Sequence, residues 1–158
     1  LENIRLAVQA RHGIGPRILR PVSAWPDLVR KAEAHLAAAR LEKVAHMPAA
    51  ALPHGDQRKL EVALLLAMEP DIFMFDEPTA GMSVDEVPVV LELIQGMKEQ
   101  GDKTILLVEH KMDVVRSLAD RIIVLHNGYL VADGDPVEVM GSPIVQEAYL
   151  GMGVADHV

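Results

Sequence analysis

Two carboxylates stand side by side at the end of a short apolar run, Ile72-Phe73-Met74-Phe75-Asp76-Glu77. Adjacent acids at the end of a buried strand are costly unless something uses them. Asp76 in that place could orient a Mg²⁺ ion through its water shell, and Glu77 could polarise an attacking water. Carboxylate, phosphate and water oxygens are the ligands Mg²⁺ favours. The same pair also reads as a strand-end turn whose acids help to cap the next element. Pro78 fixes a turn after it, and Gly81 permits a tight backbone. His110 follows the next apolar run, Thr104 to Val108, with Glu109 between. On a parallel neighbour strand it would share a rim with Glu77 and could contact a terminal phosphate or position the water. Alternatively it is an ordinary histidine at a helix start. The third feature is Leu52-Pro53-His54-Gly55-Asp56-Gln57, just ahead of a helical stretch. A glycine at a helix amino end lets backbone N–H groups approach an anion, a phosphate-binding geometry. A simple loop and helix cap would look the same.

These residues need elements to hold them. Residues 1–11 are amphipathic and predict a short helix, and the Gly- and Pro-bearing stretch 12–24 predicts a loop. Pro26 opens a helix expected to run to His46, with Leu28, Ala32, Leu36 and Ala39 on one face. Gln57 to Met68 predicts a helix, and Asp71 to Asp76 a buried strand. Val84 to Gln100 predicts a second helix, with Ser83 and Glu86 as a capping box and Gly101 as its stop. Thr104 to Val108 predicts another buried strand, followed by a helix over Met112 to Leu118. Arg121–Leu125 and Tyr129–Ala132 flank Asn127-Gly128, a hairpin signal. Pro136 to Leu150 predicts a helix, with a frayed tail over 151–158. Strands that alternate with helices and are continuously apolar imply an α/β fold with a parallel sheet covered on both faces. Chemistry in such sheets sits beyond the carboxyl ends of the strands.

Composition narrows the function classes. The chain has 158 residues, 50% hydrophobic and 24% charged, which excludes a disordered or low-complexity chain. Its formal charge of −8 argues against a net basic nucleic-acid binder. It has no cysteine, which removes thiol catalysis and Cys-ligated metals. The charge is uneven, with a net of +4 over residues 1–50 and −12 over 51–158, which suggests two lobes. The other histidines, His12, His35, His46, His126 and His157, show no ligand spacing with acids, although His35 and His46 fall on one predicted helix. The chain opens on Leu1 in an already amphipathic stretch and reads as a piece of a longer protein.

Taken together, the three sites match a family pattern. The stretch LPHGDQRKLEVALLLAMEPDIFMFDEPTAGM, Leu52 to Met82, resembles the signature, Walker B and D-loop region of ABC-type ATPases, and His110 in TILLVEH stands at the switch-histidine position. AGMS, VEHKMDVV, ADRIIVLHNGYLVADGDP and PIVQEAYLG resemble the ATP-binding subunits of branched-chain amino acid importers. LENIRLAVQARHG is similar to the segment after the Q-loop of that subgroup. The resemblance implies a partial P-loop NTPase core with a mostly parallel sheet plus a helical subdomain, its amino-terminal strands and P-loop missing. Residues 1–50 would be part of the helical subdomain, and 51–158 the carboxyl-terminal part of the core.

It also implies ATP and Mg²⁺ as cofactors. Glu77 and His110 would be catalytic, and Asp76 would hold Mg²⁺ largely through water. Pro53, His54, Gly55, Asp56 and Gln57 would contact the ATP of a second ATP-binding subunit, paired as a homo- or heterodimer, with Gly81 and Ser83 in the D-loop. Transmembrane permease subunits and, indirectly, a solute-binding protein would complete the assembly at the cytoplasmic face of the membrane, with no nucleic acid involved. The pattern departs from Leu-Ser-Gly-Gly-Gln: Pro53 replaces serine, His54 replaces glycine or tyrosine, and Asp56 puts an acid beside a triphosphate unless it points away. Ser83 stands where many D-loops carry aspartate. No G-x-x-x-x-G-K-[ST] occurs; Gly13, Gly15 and Arg17 supply only HGIGPR. The expected chain is therefore a fragment inactive alone, with apolar surface exposed where strands are missing. A non-catalytic interaction module and an ABC-type ATPase outside transport are the alternatives.

Overall fold

The computed structural model describes residues 1–13 and 25–147. Most of the predicted 12–24 loop, with Gly15, Arg17 and Arg20, lies outside them, as do Leu150, the tail and His157. The chain divides into two compact units, Leu1–Glu109 and His110–Val158.

In the first unit, α1 (Glu2–Arg11), α2 (Pro26–Ala38) and α3 (His54–Met68) enclose one core. Ile4, Val8, Leu28, Ala32, Leu36, Ala39, Leu41, Leu60 and Ala63 belong to it, so the apolar stripe of α2 faces inward. The helix ends earlier than the predicted His46. Arg40 takes a left-handed φ of 56°, the Arg40 N–H donates to the Ala37 carbonyl at 2.9 Å, and the Leu41 N–H donates to that of Leu36 at 3.0 Å. These are the two bonds of a Schellman stop, with Leu36 and Leu41 as its apolar pair. An arginine in the usual glycine place hides the stop from the sequence. Two short 3-10 turns follow, Glu42–Val44 and Ala49–Ala51, so His46 and His35 share no helix.

Helix α3 begins three residues before the predicted Gln57, because Pro53 caps it and His54 to Asp56 form its first turn. Helix α4 (Val87–Gln100) begins later than predicted. Pro88 lacks an N–H and sits in the first turn, where none is needed. Ser83 is therefore not the cap. Its N–H and hydroxyl instead donate to the Glu86 carboxylate at 3.1 and 2.8 Å, and Glu86 holds the cap position.

Strands β1 (Ile72–Asp76) and β2 (Thr104–Val108) are parallel, in register from Ile72 opposite Thr104 to Asp76 opposite Val108. The expected coverage of both faces is not found. Phe73 and Phe75 are buried with their rings stacked 6.1 Å apart, whereas Ile72 and Met74 are 62% and 68% exposed. Leu106 and Val108 continue that exposed face. The strands read as doubly buried because both sets of side chains are apolar; only one set is covered.

In the second unit, α5 (Met112–Leu118) precedes the hairpin of β3 (Ile122–His126) and β4 (Tyr129–Gly134). These strands are antiparallel, and Asn127 and Gly128, at φ 49° and 80°, form the two-residue turn. Val124, Val139 and Val145 form a small core. The predicted 136–150 helix is two pieces, α6 (Pro136–Gly141) and α7 (Pro143–Val145). Ser142 is extended between them, as a residue before proline prefers. Among the described residues no helix is long and apolar enough to cross a membrane.

Candidate functional site

Because β1 and β2 run in parallel, their carboxyl ends lie at one edge. Asp76 ends β1 and is exposed; Glu77 follows, half-buried. The Glu77 N–H donates to the Val108 carbonyl at 2.9 Å, one step beyond the ladder. Glu77 has a φ of 44°, and the turn after it closes with the Ala80 N–H on the Glu77 carbonyl at 3.0 Å. Thr79 is fully buried, and its hydroxyl donates to Glu109 Oε1 at 2.8 Å. His110 is exposed and opens the second unit, between β2 and the first residue of α5.

The amino end of α3 holds the other predicted residues. Pro53 and His54 are exposed, and Gly55 is buried. Gln57 turns back, its side-chain amide donating to the Leu52 carbonyl at 2.9 Å. Asp56 is neutralised by Lys59, Nζ to Oδ1 2.5 Å, and Lys59 is itself buried. The acid in the signature is thus spent on an internal ion pair.

The turn after β1 packs against this helix end. A Cβ on Gly55 would fall 2.1 Å from Glu86 Oε1, so glycine leaves room for the carboxylate. Gly81, at φ 69°, lies under His54, whose Nε2 would be 2.9 Å from an added Cβ. Lys59 Nζ reaches Glu86 Oε1 at 3.9 Å. The site residues Gly55, Asp56 and Ser83 are therefore joined through Lys59 and Glu86, two residues to which the sequence assigned no site role, while Gly81 meets His54. The i, i+3 spacing of Asp56 and Lys59 was the available signal. Glu109 was missed for want of any local signal, since its bond to Thr79 spans thirty residues.

The Ser83 N–H, then its hydroxyl, hold the Glu86 carboxyl below its usual range, with the charges of Lys59 and His54 adding to the effect. A folded-state value below the unfolded one gives stability that is present above the unfolded value and lost as pH falls through the folded one. Urea unfolding at pH 7 should show Glu86→Gln less stable than the parent. The gap should close as pH falls below about 4. A gap unchanged with pH would contradict this assignment.

Asp76 and Glu77 offer carboxylate oxygens at an open edge, a donor type that suits Mg²⁺. Among the described residues no three metal-ligating side chains converge.

No family model matches the chain. It is 35% identical over 156 residues to the high-affinity branched-chain amino acid transport ATP-binding protein LivG of Escherichia coli (strain K12), covering 96% of this chain and 61% of that protein. It is 39% identical over 111 residues to the corresponding protein BraF of Pseudomonas aeruginosa, covering 70% of this chain and 44% of that one. It superimposes on a solved ATP-binding cassette of an ABC transporter with a TM-score of 0.66 and 27% identity, covering 78% of this chain and 50% of that one. The chain thus spans 44–61% of the length of these relatives.

Proposed function

The chain belongs to the ATP-binding cassette family, and we propose that it supplies the signature, Walker B, D-loop and switch-histidine part of a subunit that couples ATP hydrolysis to import of branched-chain or related amino acids. One observation carries this reading. The turn that follows the Asp76-Glu77 strand end packs against the amino end of α3, with His54 over Gly81 and with Gly55 and Lys59 against Glu86. The 35% identity over 156 residues to a branched-chain amino acid transport ATP-binding protein supports reading these segments as the signature, Walker B and D-loop region.

In this reading Glu77 accepts a proton from the attacking water, and His110 contacts the terminal phosphate or orients that water. Asp76 holds the water shell of Mg²⁺, which supplies charge neutralisation on the phosphates when bound. Pro53, His54 and Gly55 present the α3 amino end to the nucleotide of a second subunit. Asp56 and Gln57 shape that end through Lys59 and Leu52, while Gly81 and Ser83 hold the adjoining turn. Residues 1–50 serve as the helical subdomain facing transmembrane permease subunits at the cytoplasmic side, with a solute-binding protein delivering the amino acid. The P-loop lysine comes from sequence this chain does not contain, so the chain alone is expected to be inactive.

Disrupting the coding sequence in its host should abolish energy-dependent uptake of labelled leucine, isoleucine and valine, and a wild-type copy should restore it. Undiminished uptake of all three would refute the importer reading.

A further inference from the structure

Glu77 carries a conformation that its own residue type does not favour. At φ 44° it is a non-glycine residue in left-handed space, and it precedes proline, which pushes a residue toward extended backbone. Such an outlier persists only where its surroundings over-determine it. Besides the Ala80 N–H bond that closes the turn on the Glu77 carbonyl, two bonds tie the turn to the end of β2. The Glu77 N–H is bonded to the Val108 carbonyl, and two residues later the Thr79 hydroxyl is bonded to Glu109 Oε1. Val108 and Glu109 are consecutive, so the turn is pinned twice to one short piece of chain. Between the pins Pro78 has its φ fixed by its ring, which leaves Glu77 to absorb the mismatch. Thr79 is fully buried, so its hydroxyl must keep a partner.

We infer that Thr79 and Glu109 are positioning residues that hold Glu77 in its left-handed conformation and so aim its carboxylate at the sheet edge. The functional half of this inference rests on the proposed role of Glu77; the conformational half does not. Without the side-chain bond, the turn loses one of its two ties to Val108 and Glu109, and Glu77 relaxes toward the extended backbone that a residue before proline prefers.

The test uses the whole 158-residue chain first. The φ of Glu77 is measured by NMR couplings and chemical shifts in Thr79→Val, Glu109→Ala, and the conservative variants Thr79→Ser and Glu109→Gln, each of which keeps the bond. A left-handed φ lost in the first two and retained in the last two is the expected result. A left-handed φ in every variant would overturn the inference. Two deletions, one on each side of the bond, guard against either failing to fold. In the assembled ATPase, Glu109→Ala should lower kcat about tenfold or more with KM for ATP unchanged, and Glu109→Gln should recover most of the loss. Relaxed φ with unchanged kcat would leave the positioning intact and remove Glu77 from catalysis instead.

Discussion

Glu77→Gln in the assembled ATPase should lower turnover about 10²–10⁴-fold, the usual contribution of a positioned general base, while MgATP still binds. Glutamine matches glutamate in shape and keeps an acceptor oxygen, but it cannot take a proton from water. The substitution should leave the backbone in place, because the Glu77 N–H bond to Val108 involves no side chain. Phosphate release and calorimetric MgATP affinity, measured on the same preparations, separate the two effects. Loss of turnover with affinity kept is the expected pattern. Turnover within a few-fold of the parent would remove Glu77 from the proton-transfer role, and loss of affinity would make it a binding residue.

The second large effect is on stability. Lys59→Met should destabilise the first unit by about 2–3 kcal/mol, somewhat under the loss seen when one partner of a fully buried pair is removed. Lys59 is buried and stands between two acids, Asp56 at 2.5 Å and Glu86 at 3.9 Å. Methionine fills a similar space but leaves both carboxylates without the cation they share. Asp56 and Glu86 keep some solvent contact, which is why the full buried-pair cost does not apply. Adding Asp56→Asn to Lys59→Met removes one stranded charge and should recover about half the loss. Urea unfolding of the two single variants and the double variant forms the cycle that reads this coupling. Simple additivity would show that the two side chains do not interact.

Much of the architecture was legible because it depends on local chemistry. The turn Asn127-Gly128, the register of apolar residues in α2 and the limits of β2 and α5 follow from residue type and spacing. Element ends were less legible where an unusual residue did the work. Arg40 takes a left-handed conformation just past α2, in a place where glycine or asparagine would have announced the stop. The prediction of buried strands erred for a different reason. Ile72 and Met74 are as apolar as Phe73 and Phe75, and hydropathy cannot say which face is covered within this chain.

For the site, the sequence alone determined which chemical groups exist and their order: a glycine at a helix start, paired acids at a strand end, and a histidine after the neighbouring strand. These are covalent facts, carried by short stretches whose local geometry is nearly independent of the rest. Only the tertiary structure decided what each group does with its charge and its backbone. Asp56 is neutralised by Lys59, Glu86 presses on Gly55, and Thr79 reaches Glu109 across thirty residues to brace Glu77. Those relations depend on distances between elements that meet only when hydrophobic burial and strand pairing bring them together.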